Sequence, residues 1–127
     1  MTDAKTGNLD ALRLMAVSAV REQIVPQVYR FSEFEEARKL GFSRVIYTDY
    51  VMQYTDSALV RFAAVARPFA VTVPRDHASA ALAARLNALN VPLFTHPVDT
   101  LDDARRLPRQ VRGIYSSTLC GTTKLPE

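Results

Sequence analysis

Cysteine is nearly missing from this chain: Cys120 is the only one. That excludes an internal disulfide framework and a cysteine-ligated zinc site. Glycine occurs only four times, never as G-x-G-x-x-G or a P-loop, which weighs against a nucleotide-binding fold. No apolar run approaches the ~20 residues that cross a bilayer. No basic segment followed by an apolar stretch opens the chain, so the expected compartment is the cytoplasm, with no membrane span. Lysine is scarce, 3 against 13 arginines, and the net charge is only +3. A nucleic-acid surface needs a denser basic stripe interleaved with aromatics. Arg105-Arg106 with Arg109 and Arg112 therefore reads as a solvated helix face, and nucleic acid is not an expected partner.

What is present is an ordinary globular composition. The chain has 127 residues, 48% apolar and 23% charged, which suits one domain with a real core. Short β-branched runs alternate with helical stretches. Residues 24–29 read as extended, with Pro26 limiting the residue before it to β or polyproline geometry. Ser32 is expected to cap a helix through Phe34, Ala37 and Leu40, with acids in its first turn and Gly41 at its stop. Residues 44–48 read as a buried strand. Thr55 or Asp56 opens a helix with an apolar stripe through Leu59, Phe62, Ala63 and Ala66, and Pro68 ends it. A strand over 69–73, a helix over 78–90, a strand over 91–96, a short helix capped by Thr100 and a strand over 113–116 complete the series. Upstream, Asn8 is expected to cap a helix running to about Val20.

The strands read as apolar on both faces and are spaced by helices. That predicts an α/β fold of parallel strands joined by right-handed crossovers. A complete (β/α) barrel takes ~250 residues, so the expectation is alternating βα units amounting to roughly a half barrel over residues 1–119, with 120–127 a tail.

Several local words stand in a particular order. They are Asp3-Ala4-Lys5, then Asn8-Leu9-Asp10-Ala11-Leu12, then Ile24-Val25-Pro26-Gln27-Val28-Tyr29, then Lys39-Leu40-Gly41-Phe42-Ser43-Arg44-Val45-Ile46-Tyr47-Thr48, then Val91-Pro92-Leu93-Phe94-Thr95-His96-Pro97-Val98, then Arg112-Gly113-Ile114-Tyr115-Ser116. In this order the chain resembles the C-terminal half of the glycerophosphodiester phosphodiesterase family. That family is a TIM barrel related to the phosphatidylinositol-specific phospholipases C. The resemblance implies metal-dependent hydrolysis of a glycerophosphodiester to glycerol 3-phosphate and an alcohol. Calcium or magnesium would be held by three carboxylates, as hard cations prefer oxygen ligands, and two histidines would act as acid and base. The cation would neutralise charge developing on the phosphoryl oxygens.

Carried over by position, the resemblance makes Asp3 a metal carboxylate and points Lys5 at the phosphate. Gln27 and His96, at strand ends where barrel sites are built, would line the substrate pocket. For Gln27 a loop hydrogen bond, and for His96 a plain strand-end role, are equally open readings. His77, the other histidine, reads as a loop or helix-capping residue. The chain departs from the family pattern as well. The His-Arg-Gly word, the Glu-x-Asp metal pair and the catalytic histidines belong to positions upstream of Asp3. Ser116-Ser117-Thr118 stands where Thr-Asp is commoner, and Pro97 replaces a small residue. The expectation is a hydrolase fragment inactive by itself, partnered by a missing N-terminal half-barrel or assembled as a homo-oligomer. The alternative is a non-catalytic half-barrel that assembles or binds phosphate through Lys5 with Arg30 or Arg75. A small receiver-type regulator would need an acidic cluster, of which Asp49 is the only hint.

Overall fold

The structure, a computed structural model, describes residues 7–119. Asp3, Lys5 and the tail over 120–127 lie outside the described residues. The elements in chain order are α1 (Asn8–Ala16), β1 (Gln27–Val28), α2 (Phe31–Lys39), β2 (Ile46–Thr48), α3 (Asp56–Ala66), β3 (Ala70–Pro74), α4 (Ala80–Asn87), β4 (Leu93–His96), α5 (Leu101–Arg106) and β5 (Gly113–Ile114), with single 3-10 turns at Arg21–Gln23 and Arg75–His77. The five strands form one sheet, all parallel, in the order β1-β2-β3-β4-β5. Parallel neighbours in chain order with right-handed crossovers place the helices on one face. The alternating βα units of a half barrel are therefore observed.

The element boundaries show how local chemistry competes. Asn8 does not cap α1. Gly7 precedes the helix at φ 64, and the buried Asn8 side chain donates instead to the Gln27 carbonyl at 3.0 Å, tying α1 to β1. The helix ends at Ala16, short of the expected Val20. Ser18 turns back there, its hydroxyl accepting from the Val20 amide at 3.2 Å, a local bond that competes with helix. Ser32 lies inside α2, and Arg30 occupies the cap position. Glu33 takes over the work by accepting from the Tyr29 amide at 2.9 Å. At the other end Gly41 behaves as expected. It has φ 94, and Phe42 donates to the Ala37 carbonyl at 3.3 Å while Gly41 donates to Arg38 at 3.0 Å. That pair of bonds is the Schellman stop. α4 starts later than expected because Ser79 caps it, accepting from Leu82 at 3.0 Å. It closes through Asn90 at φ 59. Thr55 and Thr100 cap α3 and α5.

The sheet's two faces differ in chemistry. Toward the helices point Val28, Val45, Tyr47, Val71, Val73 and Leu93, which pack with Leu12, Phe34, Leu59, Ala63, Leu82 and Leu86 as one buried core. Phe31 stacks on Phe62 at 4.1 Å and on Tyr54 at 4.4 Å, closing α2 against α3 over Tyr47. The opposite face is less apolar than the sequence reading implied. Register sets Gln27 beside Ile46, Thr48 beside Thr72, and Thr72 beside Phe94. Gly113 follows Phe94 in the same row, and its bare Cα lets the Phe94 ring lie across it. A Cβ there would come within 2.6 Å of the ring.

Gly113→Ala should therefore destabilise the fold by about 1–3 kcal/mol, the usual cost of overpacking. Chemical denaturation checks this, and an unchanged midpoint would refute the packing account. Gly113→Ala combined with Phe94→Leu should recover most of the loss.

Candidate functional site

Parallel strands put all their carboxyl ends on one edge, and the helix-free face carries hydrogen-bonding groups from within the strands to that edge. Gln27 of β1, Thr48 of β2, Thr72 of β3, His96 at the end of β4 and Tyr115 just beyond β5 share this face by the alternation of strand residues. Gln27 is 8% exposed, Thr48 1% and Thr72 0%. The Thr72 hydroxyl donates to the Tyr115 hydroxyl at 3.4 Å. The Gln27 amide nitrogen donates to the Tyr29 hydroxyl at 3.1 Å.

Three atoms on this face have no partner among the described residues: Gln27 Oε1, Thr48 Oγ1 and His96 Nε2, all buried. A buried polar atom left unpaired costs about 1–3 kcal/mol. These atoms are therefore the places on this face where the described residues leave hydrogen bonds incomplete. Burial also lowers the His96 pKa below the usual imidazole value, favouring the neutral ring. The His96 ring lies 5.9 Å from Tyr50 and 6.2 Å from Tyr115, so aromatic rings wall the polar groups. The His96–Pro97 peptide is cis.

Gln27 and His96, both singled out from the sequence, share the helix-free face, but only His96 ends its strand; Gln27 opens β1 and pairs with Ile46, the first residue of β2. Gln27 also makes the bond to Tyr29 that the plainer reading expected of it. Asp3 and Lys5 lie outside the described residues. His77 is exposed in the turn after β3, and the cap of α4 is Ser79. Asp49 is buried at the end of β2, where it accepts from the Tyr47 hydroxyl at 3.1 Å. Burial, then the Asp49 charge, push the Tyr47 phenol upward, so it stays a donor.

The sequence reading passed over Thr48, Thr72, Tyr50 and Tyr115. A signal existed for the threonines: period two from Gln27's neighbour Ile46 reaches Thr48, and the paired strand reads Val71-Thr72-Val73. It also missed Asp99, whose carboxylate accepts from the Ser117 amide at 2.7 Å and from the Ser116 and Ser117 hydroxyls at 3.1 Å. These bonds hold that carboxyl below its usual pKa, the Ser117 amide contributing most. Asp99 thereby ties the loop after β4 to the segment after β5, and the serines that depart from the family word are its donors.

The divalent cation fits the described residues poorly. Among them no group of three or more His, Cys, Asp or Glu comes together to hold a metal. Arg75 is committed to Asp103 at 2.7 Å. No helix among the described residues is long and apolar enough to cross a membrane.

No family model matches the chain, and no curated protein matches it significantly. Among solved structures, the chain is similar to the crystal structure of a protein from Silicibacter pomeroyi DSS-3 described as a glycerophosphoryl diester phosphodiesterase. The TM-score is 0.68 at 18% identity, over 86% of this chain and 42% of that one. The likeness is one of fold, and this chain spans less than half the length of that protein.

The His96 environment has a pH consequence. The folded-state pKa is depressed, so both states hold a neutral imidazole above the unfolded value of 6.5. Below it the unfolded chain takes up the proton first, and stability falls until the folded pKa is passed. Denaturation midpoints should decline as pH drops below 6.5, and His96→Gln should flatten that part of the profile. An identical profile in the variant would remove His96 as the cause.

Proposed function

We propose that this chain forms the C-terminal wall of a glycerophosphodiester phosphodiesterase barrel. The observation that carries the reading is the set of buried polar atoms on Gln27, Thr48 and His96 that find no partner among the described residues, on the helix-free face of a fold similar to that of a protein so described. The ordered words of the sequence support the same family. In this reading Gln27 and His96 line the substrate pocket, Lys5 faces the phosphate, and Asp3 is one of several metal carboxylates. The remaining ligands and the catalytic histidines come from other βα units. The described residues supply neither, so the chain alone is inactive.

The partner is the N-terminal half of the barrel, whose strands would cover the polar face. A homo-oligomer is the other arrangement that would cover it. A phosphate-binding role through Arg75 gains little, because its guanidinium already pairs with Asp103 at 2.7 Å.

The pure chain should release no glycerol 3-phosphate from a glycerophosphodiester with calcium or magnesium. Mixed with a half-barrel bearing the His-Arg-Gly and Glu-x-Asp words, it should turn substrate over. Asp3→Ala should then lower the reconstituted rate by about 100-fold or more, as expected for losing a metal ligand. Metal-dependent turnover by the chain alone would overturn the inactive-alone reading. A reconstituted barrel without turnover would sink the function itself.

A further inference from the structure

The edge opposite the strand carboxyl ends has a chemistry of its own. Parallel strands in chain order gather there the turns that lead into them, at 17–26, 40–45, 67–69, 88–92 and 107–112. These turns contain Arg21, Arg44, Arg67, Arg109 and Arg112, and a single carboxylate, Glu22. Side chains join the turns into one continuous border. Arg44 donates to the Glu22 carbonyl at 2.9 Å, Arg67 to the Leu89 carbonyl at 2.6 Å and Asn87 to the Gln110 carbonyl at 3.0 Å. Glu22 pairs with Arg21 at 3.3 Å. Among the described residues no carboxylate pairs with Arg44, Arg67, Arg109 or Arg112, and all four are exposed. A bond to a carbonyl leaves a guanidinium its charge and most of its five donors. Complementing a helix dipole explains Arg38 and Lys39, in the last turn of α2. It does not explain Arg44 or Arg112, which stand past the last turn, where that effect has faded.

The same edge is apolar. Val17, Val20 and Phe69 in these turns are 87%, 47% and 44% exposed, and Leu14 and Val65, near the ends of α1 and α3, are 76% and 88% exposed. The Arg44 guanidinium lies 5.8 Å from the centre of the Phe69 ring, so charge and apolar surface meet directly. Exposed apolar side chains among unneutralised arginines fit an anionic bilayer, which takes the first into its acyl boundary and the second at its headgroups. A second copy of the chain would set arginines against arginines. A nucleic acid would find one aromatic ring to stack on and aliphatic side chains elsewhere. We propose that this edge docks the protein peripherally on an anionic lipid surface, with the strand carboxyl ends turned away from the bilayer. The arginines come one or two to a turn, so no basic stripe shows along the chain; the sheet assembles it.

The test is co-sedimentation of the full chain with vesicles of equal parts phosphatidylglycerol and phosphatidylcholine, compared with phosphatidylcholine alone. The mixed vesicles should bind at least about tenfold tighter, and salt at ~1 M, where the Debye length shrinks to ~3 Å, should release the protein. Arg109→Gln with Arg112→Gln should weaken binding by about 30-fold, the effect of two basic contacts at the bilayer surface. Val17→Asn with Val20→Asn leaves the net charge unchanged and should weaken it by about tenfold. Neither pair should move the thermal midpoint. Arg30→Gln with Arg61→Gln removes the same charge away from this edge and should leave binding unchanged. Failure to bind, equal binding to both vesicles, or an equal loss in the Arg30 and Arg61 variant would overturn the proposal. So would binding to a single-stranded oligonucleotide without binding to vesicles, which would assign the edge to nucleic acid.

Discussion

Parallel pairing in chain order is the constraint on which the rest of this molecule depends. Five strands running the same way, each hydrogen-bonded to the next in sequence, require a helical crossover after every strand. They also force all the crossovers to one face. One face is then a packed core and the other is left to a different use. The same geometry gathers every strand's carboxyl end on one edge, and residues far apart in sequence, from Gln27 to Tyr115, become neighbours there.

The core is built to keep that edge in place. Tyr47 shows both sides of the arrangement. Its ring is fully buried against Phe31 and Phe62, while its hydroxyl reaches Asp49 at the strand end. Asn8 ties α1 to the β1 carbonyl of Gln27. Asp99 gathers Ser116 and Ser117, joining the last two strand ends. These buried or multiply bonded contacts brace the strands from which the polar face projects. On the opposite face the described residues leave hydrogen-bonding capacity unused at Gln27, Thr48 and His96. The proposed phosphodiesterase reading rests on that contrast between a satisfied core and these unpaired groups.

The α/β class and the helix-strand series were legible because helical and extended segments bury apolar side chains at different periods. Gly41, Thr55 and Thr100 were legible as boundary residues because their roles are local: a left-handed stop and two side-chain caps. Asn8 and Ser32 were misread for the matching reason. Each has the chemistry of a cap, but Asn8 finds a partner 19 residues away, and Ser32 is displaced by a turn begun earlier. A one-dimensional pattern contains no term for a distant acceptor.

Of the candidate site, Gln27 and His96 could be named from ordered words and strand ends. Tyr50 and Tyr115 could not, because nothing local distinguishes a tyrosine that faces a site from one that faces solvent. The βα order, the apolar faces of the helices and several helix boundaries can be read along the chain, since all arise from interactions within a few residues. Which strand side chains share the helix-free face, which polar atoms there find no partner among the described residues, and that Tyr50 lies beside His96 emerge only from the folded sheet. Those facts depend on the register between strands, a relation among segments set by packing the whole sheet against its helices.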